Sequence, residues 1–226
     1  MTVSHIDAQT GAAAAGAPAG RVRRHLLIDR VYHWLMAACV LTLMGTAFLP
    51  IVGIKFEWLT LHWTTGIVLS VLVVIHIVRA LIWQDFWAMW FDGKDVRNAI
   101  RLCARAFGSG AEPGLPGKYN GLQKLYHFAI AVLGLAIVVS GLTMLLKIDT
   151  PWWRRNPYVL ADYQWGEIYA VHGLAAMALI TLIMIHIYYA VRPDEWYLTR
   201  SMFRGWITRA EYDRHFDKQR WAGDKG

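Results

Sequence analysis

Six of the nine histidines, His33, His62, His76, His127, His172 and His186, lie in stretches that contain no Asp, Glu, Lys or Arg. Imidazole is the commonest protein ligand for metals, and a coordinating side chain inside an apolar span is costly enough to default to a functional reading. His62 and His76 are 14 residues apart, as are His172 and His186. On a helix, that interval is a rise of about 21 Å and a return to within about 40° of the same face. One helix can therefore serve two sites stacked along its length. Such a layout suits two b-type haems, each held by two imidazoles from different helices, with iron cycling between ferrous and ferric. Zinc fits less well, because a structural site needs four clustered ligands and no carboxylate or thiol accompanies the histidines at their depth. Cys39 and Cys103 are too few for a disulfide framework or an iron–sulfur cluster. For any single histidine the plain alternative is a hydrogen bond between helices. Six at two matched depths weigh against it for the set, least so for His76 and His127.

The charge-free stretches, 31–54, 58–78, 125–146 and 168–191, are 24, 21, 22 and 24 residues long. An α-helix needs roughly 20 residues to cross about 30 Å of hydrocarbon. The expected fold is an all-α integral membrane protein, a four-helix transmembrane bundle with spans of about 31–52, 60–83, 124–147 and 168–191. Composition agrees: 56% of residues are hydrophobic, 17% are charged, mean hydropathy is +0.32, and there are 12 Trp. Trp34, Trp58, Trp63, Trp83, Trp152, Trp153, Trp165 and Trp196 gather at or just outside span ends, as in an interfacial belt.

Nineteen of the 23 Lys and Arg lie before span one, between spans two and three, or after span four, leaving Lys55, Lys147, Arg154 and Arg155 on the other side. The positive-inside rule then puts both termini in the cytoplasm, and the expected location is multi-pass in a bacterial inner membrane. The net charge of +7 is a topology signal rather than a nucleic-acid surface. With this orientation, His62 and His172 lie near the periplasmic face, His33 and His127 near the cytoplasmic face, and His76 and His186 deep along spans two and four toward the cytoplasm. Residues 1–20 read as a disordered extension, 21–192 as the four-span domain and 193–226 as a cytoplasmic tail. Arg97, Arg101 and Arg105 recur every four residues within 94–107, with Val96, Ile100, Cys103 and Phe107 toward another side, the pattern of an interfacial helix. The Pro- and Gly-bearing stretch 111–117 breaks the chain before span three. No internal repeat is long enough to count. Gly45, Gly66, Gly134, Gly141 and Gly173 leave helix faces bare enough for a flat macrocycle to approach.

The segment from Arg24 to Trp34, Arg-His-Leu-Leu-Ile-Asp-Arg-Val-Tyr-His-Trp, resembles the entry to the first span of the gamma subunit of respiratory formate dehydrogenases, a dihaem cytochrome b. Further matches are Leu61-His62 with Gly66-Ile67 and Arg79, the run from Gly117 to Asn120 with Gln123-Lys124, His172, Ile185-His186, and the tail from Gly205 to Arg209 with His215 and Trp221. The resemblance covers roughly residues 21–221. It implies a periplasmic haem b on His62 and His172 and a cytoplasmic haem b on His33 and His186. Periodicity alone leaves a pairing of His76 with His186 equally open. That family has no histidine matching His76 or His127, which stand as candidates for haem-edge, propionate or quinone contacts, with ordinary packing as the alternative. It also places an Asn matching Asn120 in a quinone pocket, with Gln123 beside it; Asn120 could instead cap its helix. Arg24, Arg30 and Arg79 lie at levels suited to the cytoplasmic haem's propionates, and Arg154 and Arg155 to the periplasmic one's. The tail departs from the family, with Arg214-His-Phe-Asp217 where a His-His-Pro run is common.

The function implied is a membrane subunit that carries electrons between a periplasmic iron–sulfur subunit and the quinone pool. The partner would dock around 56–60 and 150–164, and primary substrate oxidation would belong to a separate catalytic subunit in a higher-order complex. Rival readings are the cytochrome b of a nickel–iron hydrogenase and a stand-alone cytochrome b561 acting as its own quinone oxidoreductase, the latter disfavoured by the match between 205 and 221. A non-redox anchor or transporter would be colourless when purified, whereas the redox readings require b-type absorption bands.

Overall fold

The computed structural model describes residues 20–82, 93–106, 108 and 114–221. Residues 1–19 of the extension expected over 1–20, the belt residue Trp83 and the start of the 111–117 break lie outside them. Strand β1 (Arg21–Arg23) leads into α1 (Leu27–Phe48), followed by α2 (Trp58–Ile82), α3 (Gly93–Ala106), α4 (Gly121–Met144) and α5 (Asp162–Val191). The tail forms α6 (Trp196–Arg204), β2 (Trp206–Thr208) and α7 (Arg209–His215). Among the described residues, four helices are long and apolar enough to cross a membrane: Leu27–Phe48, Trp58–Ile82, Gly121–Lys147 and Asp162–Val191. Leu41, Val74, Leu81, Leu174, Met177 and Met184 face outward, as they must where the surrounding solvent is hydrocarbon.

The helices overrun the charge-free stretches where polar residues serve the first turn. In α1, Asp29 lies near the positive N-terminal end of the helix dipole. The Gln164 amide oxygen accepts from the Ala161 N–H at 2.9 Å, so α5 starts before the apolar run. Helix α1 stops earlier than the charge pattern implies, because Pro50 cannot continue it and Gly53 turns the chain at φ +91°. As expected, α3 is amphipathic: Val96, Ile100, Arg97 and Arg101 are exposed while Asp95 is buried.

Helices α1 and α2 pack as one hairpin around Cys39, Leu69 and Leu72, α4 and α5 pack as another, and the hairpins meet chiefly along α2 and α4. At one end, the termini end, the two extremities of the described chain are sewn together. Strand β1 pairs antiparallel with β2, Val22 opposite Ile207, over a small core with Tyr212, Phe216 and Trp221. Gly205, at φ +84°, lets its carbonyl accept from the N–H groups of both Arg24 and His25; a side chain there would meet His25 O at 3.0 Å. Arg24 is buried beneath Tyr119, Phe216 and Trp221 and donates Nη2 to Lys118 O at 3.0 Å. Burial pushes its guanidinium below the ordinary value, while the aromatic faces hold its charge.

Buried Asp95 binds Lys124 at 2.6 Å and Arg220 at 3.0 Å, joining α3, the start of α4 and the tail. Asp95→Asn leaves two cations facing a neutral amide at a buried site. The expected loss is about 3 kcal/mol of unfolding free energy, read by denaturant titration in detergent; an unchanged midpoint would show that this junction is not a stability element.

Candidate functional site

The bundle gathers its six intramembrane histidines into three pairs, each joining one hairpin to the other. At the loop end, opposite the termini, His62 of α2 faces His172 of α5 with ring centres 6.5 Å apart. At the termini end, His33 of α1 faces His186 of α5 at 6.2 Å, and His76 of α2 faces His127 of α4 at 6.4 Å. Tyr32 beside His76 and Tyr126 stacked on His186 place these last four rings in one layer. By the rise per residue, that layer is about 21 Å from the His62–His172 pair.

At the loop end, each ring is held by a buried hydroxyl of its own hairpin. His62 Nδ1 lies 2.8 Å from Thr46 Oγ1 of α1, and His172 Nδ1 lies 2.9 Å from Ser140 Oγ of α4. Thr46 gives its hydrogen to the carbonyls of Thr42 and Leu43, and Ser140 to those of Ala136 and Ile137. Each oxygen is left to accept from Nδ1–H, which leaves the lone pair on Nε2. A neutral imidazole with one nitrogen anchored and the other bare is the form a metal-binding histidine takes. Gly141 completes the arrangement, since a side chain there would meet His172 Cε1 at 3.2 Å.

The termini-end pair is held differently. Trp34 sets its edge against His33, and Tyr126 stacks on His186 while donating its hydroxyl to Leu182 O at 3.0 Å. His33 Nδ1 is buried without a hydrogen-bond partner, a cost that calls for a functional explanation. Two imidazoles on one metal, with bonds of about 2 Å and ring nitrogens about 1.1 Å from their centres, stand about 6 Å apart. The measured separations fit that span. Among the described residues, no three His, Cys, Asp or Glu side chains form a group able to hold a metal ion, so the facing imidazole pairs are the candidate ligand groups.

The other sequence candidates make hydrogen bonds and ion pairs of their own. Asn120 Oδ1 accepts from Gln123 N at 2.8 Å and Gln123 Oε1 accepts from Asn120 N at 3.0 Å, so both residues form the capping box of α4. The box uses their amide oxygens, and their –NH2 groups are the donors that remain. Arg79 pairs with Asp29 at 2.8 Å, Arg30 donates to Phe203 O, and Arg24 belongs to the terminal cap. Thr46 and Ser140 escaped the sequence reading, as did a repeat. His33 precedes Thr46 by 13 residues, His127 precedes Ser140 by 13, and the 14-residue His–His interval recurs in α2 and α5. Each half thus carries the same four positions. Thr46 and His62 are 16 residues apart but Ser140 and His172 are 32 apart, so the second half's longer connection hides the match.

A sequence profile for the prokaryotic cytochrome b561 family matches residues 24–205. The formate dehydrogenase cytochrome b556(fdo) subunit of Escherichia coli (strain K12) is 28% identical over 212 residues, covering 85% of this chain and 88% of that protein. The formate dehydrogenase cytochrome b556 subunit of Haemophilus influenzae is 25% identical over 204 residues, covering 83% and 77%. The nitrate-inducible formate dehydrogenase cytochrome b556(Fdn) subunit of E. coli K12 is 25% identical over 181 residues, covering 74% and 76%.

Thr46→Val and Ser140→Ala remove the acceptors that orient the loop-end rings. Each is expected to weaken cofactor retention at that pair by about 10- to 100-fold, read as haem lost per chain on dilution in detergent. Retention equal to the parent protein's in both variants would remove the hydroxyls from the site.

Proposed function

This chain belongs to the prokaryotic cytochrome b561 family, and from that premise we propose that it is the dihaem membrane subunit linking a formate dehydrogenase-like partner to the quinone pool. Membership makes it a multi-pass membrane cytochrome b with haem b as its cofactor. The observation that carries the finer reading is the pair of imidazole couples near opposite ends of the bundle, at 6.5 Å and 6.2 Å. His62 and His172 would hold one haem, His33 and His186 the other. When bound, haem b supplies reversible one-electron ferric–ferrous chemistry, and two of them at these depths provide a path for electrons across the membrane.

The protein's part is to position and to insulate. Thr46 and Ser140 fix the tautomers of His62 and His172, and Tyr126 holds the plane of His186. The –NH2 groups of Asn120 and Gln123, at the mouth of α4, are the proposed donors to a quinone carbonyl. The Lys and Arg distribution supports a cytoplasmic termini end in a bacterial inner membrane, so a quinone at Asn120 would exchange protons with the cytoplasm. At the periplasmic loop end, Ile51, Val52, Trp152 and Tyr158 are exposed, an apolar surface suited to an iron–sulfur subunit. Substrate oxidation would take place on a further, catalytic subunit of a larger complex. The names of the formate dehydrogenase relatives support this partner over the hydrogenase alternative.

The test is the haem-to-chain ratio by pyridine haemochromogen, expected to be two. His172→Ala and His33→Ala should each lower it to about one while leaving a b-type reduced-minus-oxidised spectrum from the other pair. Retention of both haems in either variant would refute the ligand assignment.

A further inference from the structure

The proposed function leaves His76 and His127 without work, although in the two-fold repeat they are the counterparts of His186 and His33. Their ring separation, 6.4 Å, is nearly that of the His33–His186 pair in the same layer, 6.2 Å. With neighbouring helix axes about 10 Å apart, one layer of a four-helix bundle has room for a single macrocycle. The second pair therefore needs another occupation.

Its surroundings supply one. On the α4 side, His127 lies four residues after Gln123, one turn deeper on the same face as the amide at the helix mouth. On the α2 side, His76 packs beside Tyr32 at 6.5 Å between ring centres, the Arg79 guanidinium lies 5.2 Å over that tyrosine, and Arg79 binds Asp29 at 2.8 Å. The Asp29 side chain is 28% exposed, so the series ends at water. Polar groups thus run from the surface at the termini end, through two imidazoles, to the proposed quinone donors.

We propose that His76 and His127 are a proton relay to a quinone bound at Asn120 and Gln123, an inference that rests on that quinone site. Reducing a quinone to its quinol consumes two electrons and two protons, each carbonyl oxygen becoming a hydroxyl. The one-electron chemistry of the haem supplies the electrons. Asn and Gln amides can orient a carbonyl but have no proton to give, whereas a neutral imidazole releases a proton from one nitrogen and accepts one at the other. His127 gives a proton to the carbonyl oxygen nearer it and is refilled by His76, which is refilled from water near Asp29; the second carbonyl oxygen takes its proton from water at the termini end. The reverse path carries protons outward when quinol is oxidised.

The experiment compares His76→Gln, His127→Gln, the double variant and Asn120→Ala as purified haem-loaded proteins, reduced with dithionite and mixed with menadione in a stopped-flow spectrometer. Both histidine variants are expected to keep two haems per chain and the parent difference spectrum, while haem reoxidation slows about 100-fold. The double variant should be no slower than either single, and added imidazole should restore part of the rate in His127→Gln. Parent rates in both histidine variants, or loss of a haem from either, overturn the relay whatever Asn120→Ala does. A parent rate in Asn120→Ala overturns instead the quinone site itself, and with it the relay's end point.

Discussion

An imidazole surrounded by hydrocarbon must find a partner for each of its nitrogens, because water is not there to satisfy what the protein leaves bare. Much of the bundle's interior follows from that requirement. At the loop end, it is met on one side by Thr46 and Ser140, whose hydroxyls can accept because their hydrogens are already committed to the preceding turn. The rings themselves face one another across the seam, their centres 6.5 Å apart. At the termini end, the buried and unmatched Nδ1 of His33 marks a place where the protein alone does not complete the accounting.

The hairpins obey the same rule twice. Within each, the first helix supplies a hydroxyl and the second a ring, and between them the rings face one another across the seam. A pseudo-two-fold relation of this kind puts the His62–His172 pair on the axis and generates two equivalent pairs off it. His33–His186 and His76–His127 have nearly equal separations, 6.2 Å and 6.4 Å. Their surroundings differ. Tyr126 and Trp34 flank the first pair, whereas Tyr32 and the Arg79–Asp29 ion pair flank the second. Equivalent positions in the repeat have thus been given a mostly aromatic setting in one case and a charged route to water in the other.

The four spans were legible because a run of 21 to 24 residues without a charge has few other uses, and the amphipathic α3 because its arginines recur every four residues. The histidine pairs were legible in outline, since a 14-residue interval returns a side chain to nearly the same face. Periodicity could not choose His33 over His76 as the partner of His186, because facing is a property of helix packing rather than of one helix. Thr46 and Ser140 were overlooked because a lone hydroxyl residue in a membrane helix ordinarily bonds its own backbone. The unequal connections, one short and one occupied by 145–161, disguised the repeat. The terminal cap was invisible because β1 and β2 are three-residue strands from opposite ends of the described chain.

That strand pairing has a bearing on biogenesis. Residues 21–23 are translated before the four spans and residues 206–208 after them, so the partner of β1 is made only once all four spans have been translated. Until then, the core around Val22 and Ile207 cannot close, and Arg24 lacks the rings of Phe216 and Trp221 that cover it. The nascent bundle consequently remains unlatched at the termini end throughout membrane insertion. Closure of this end therefore waits for translation of the tail.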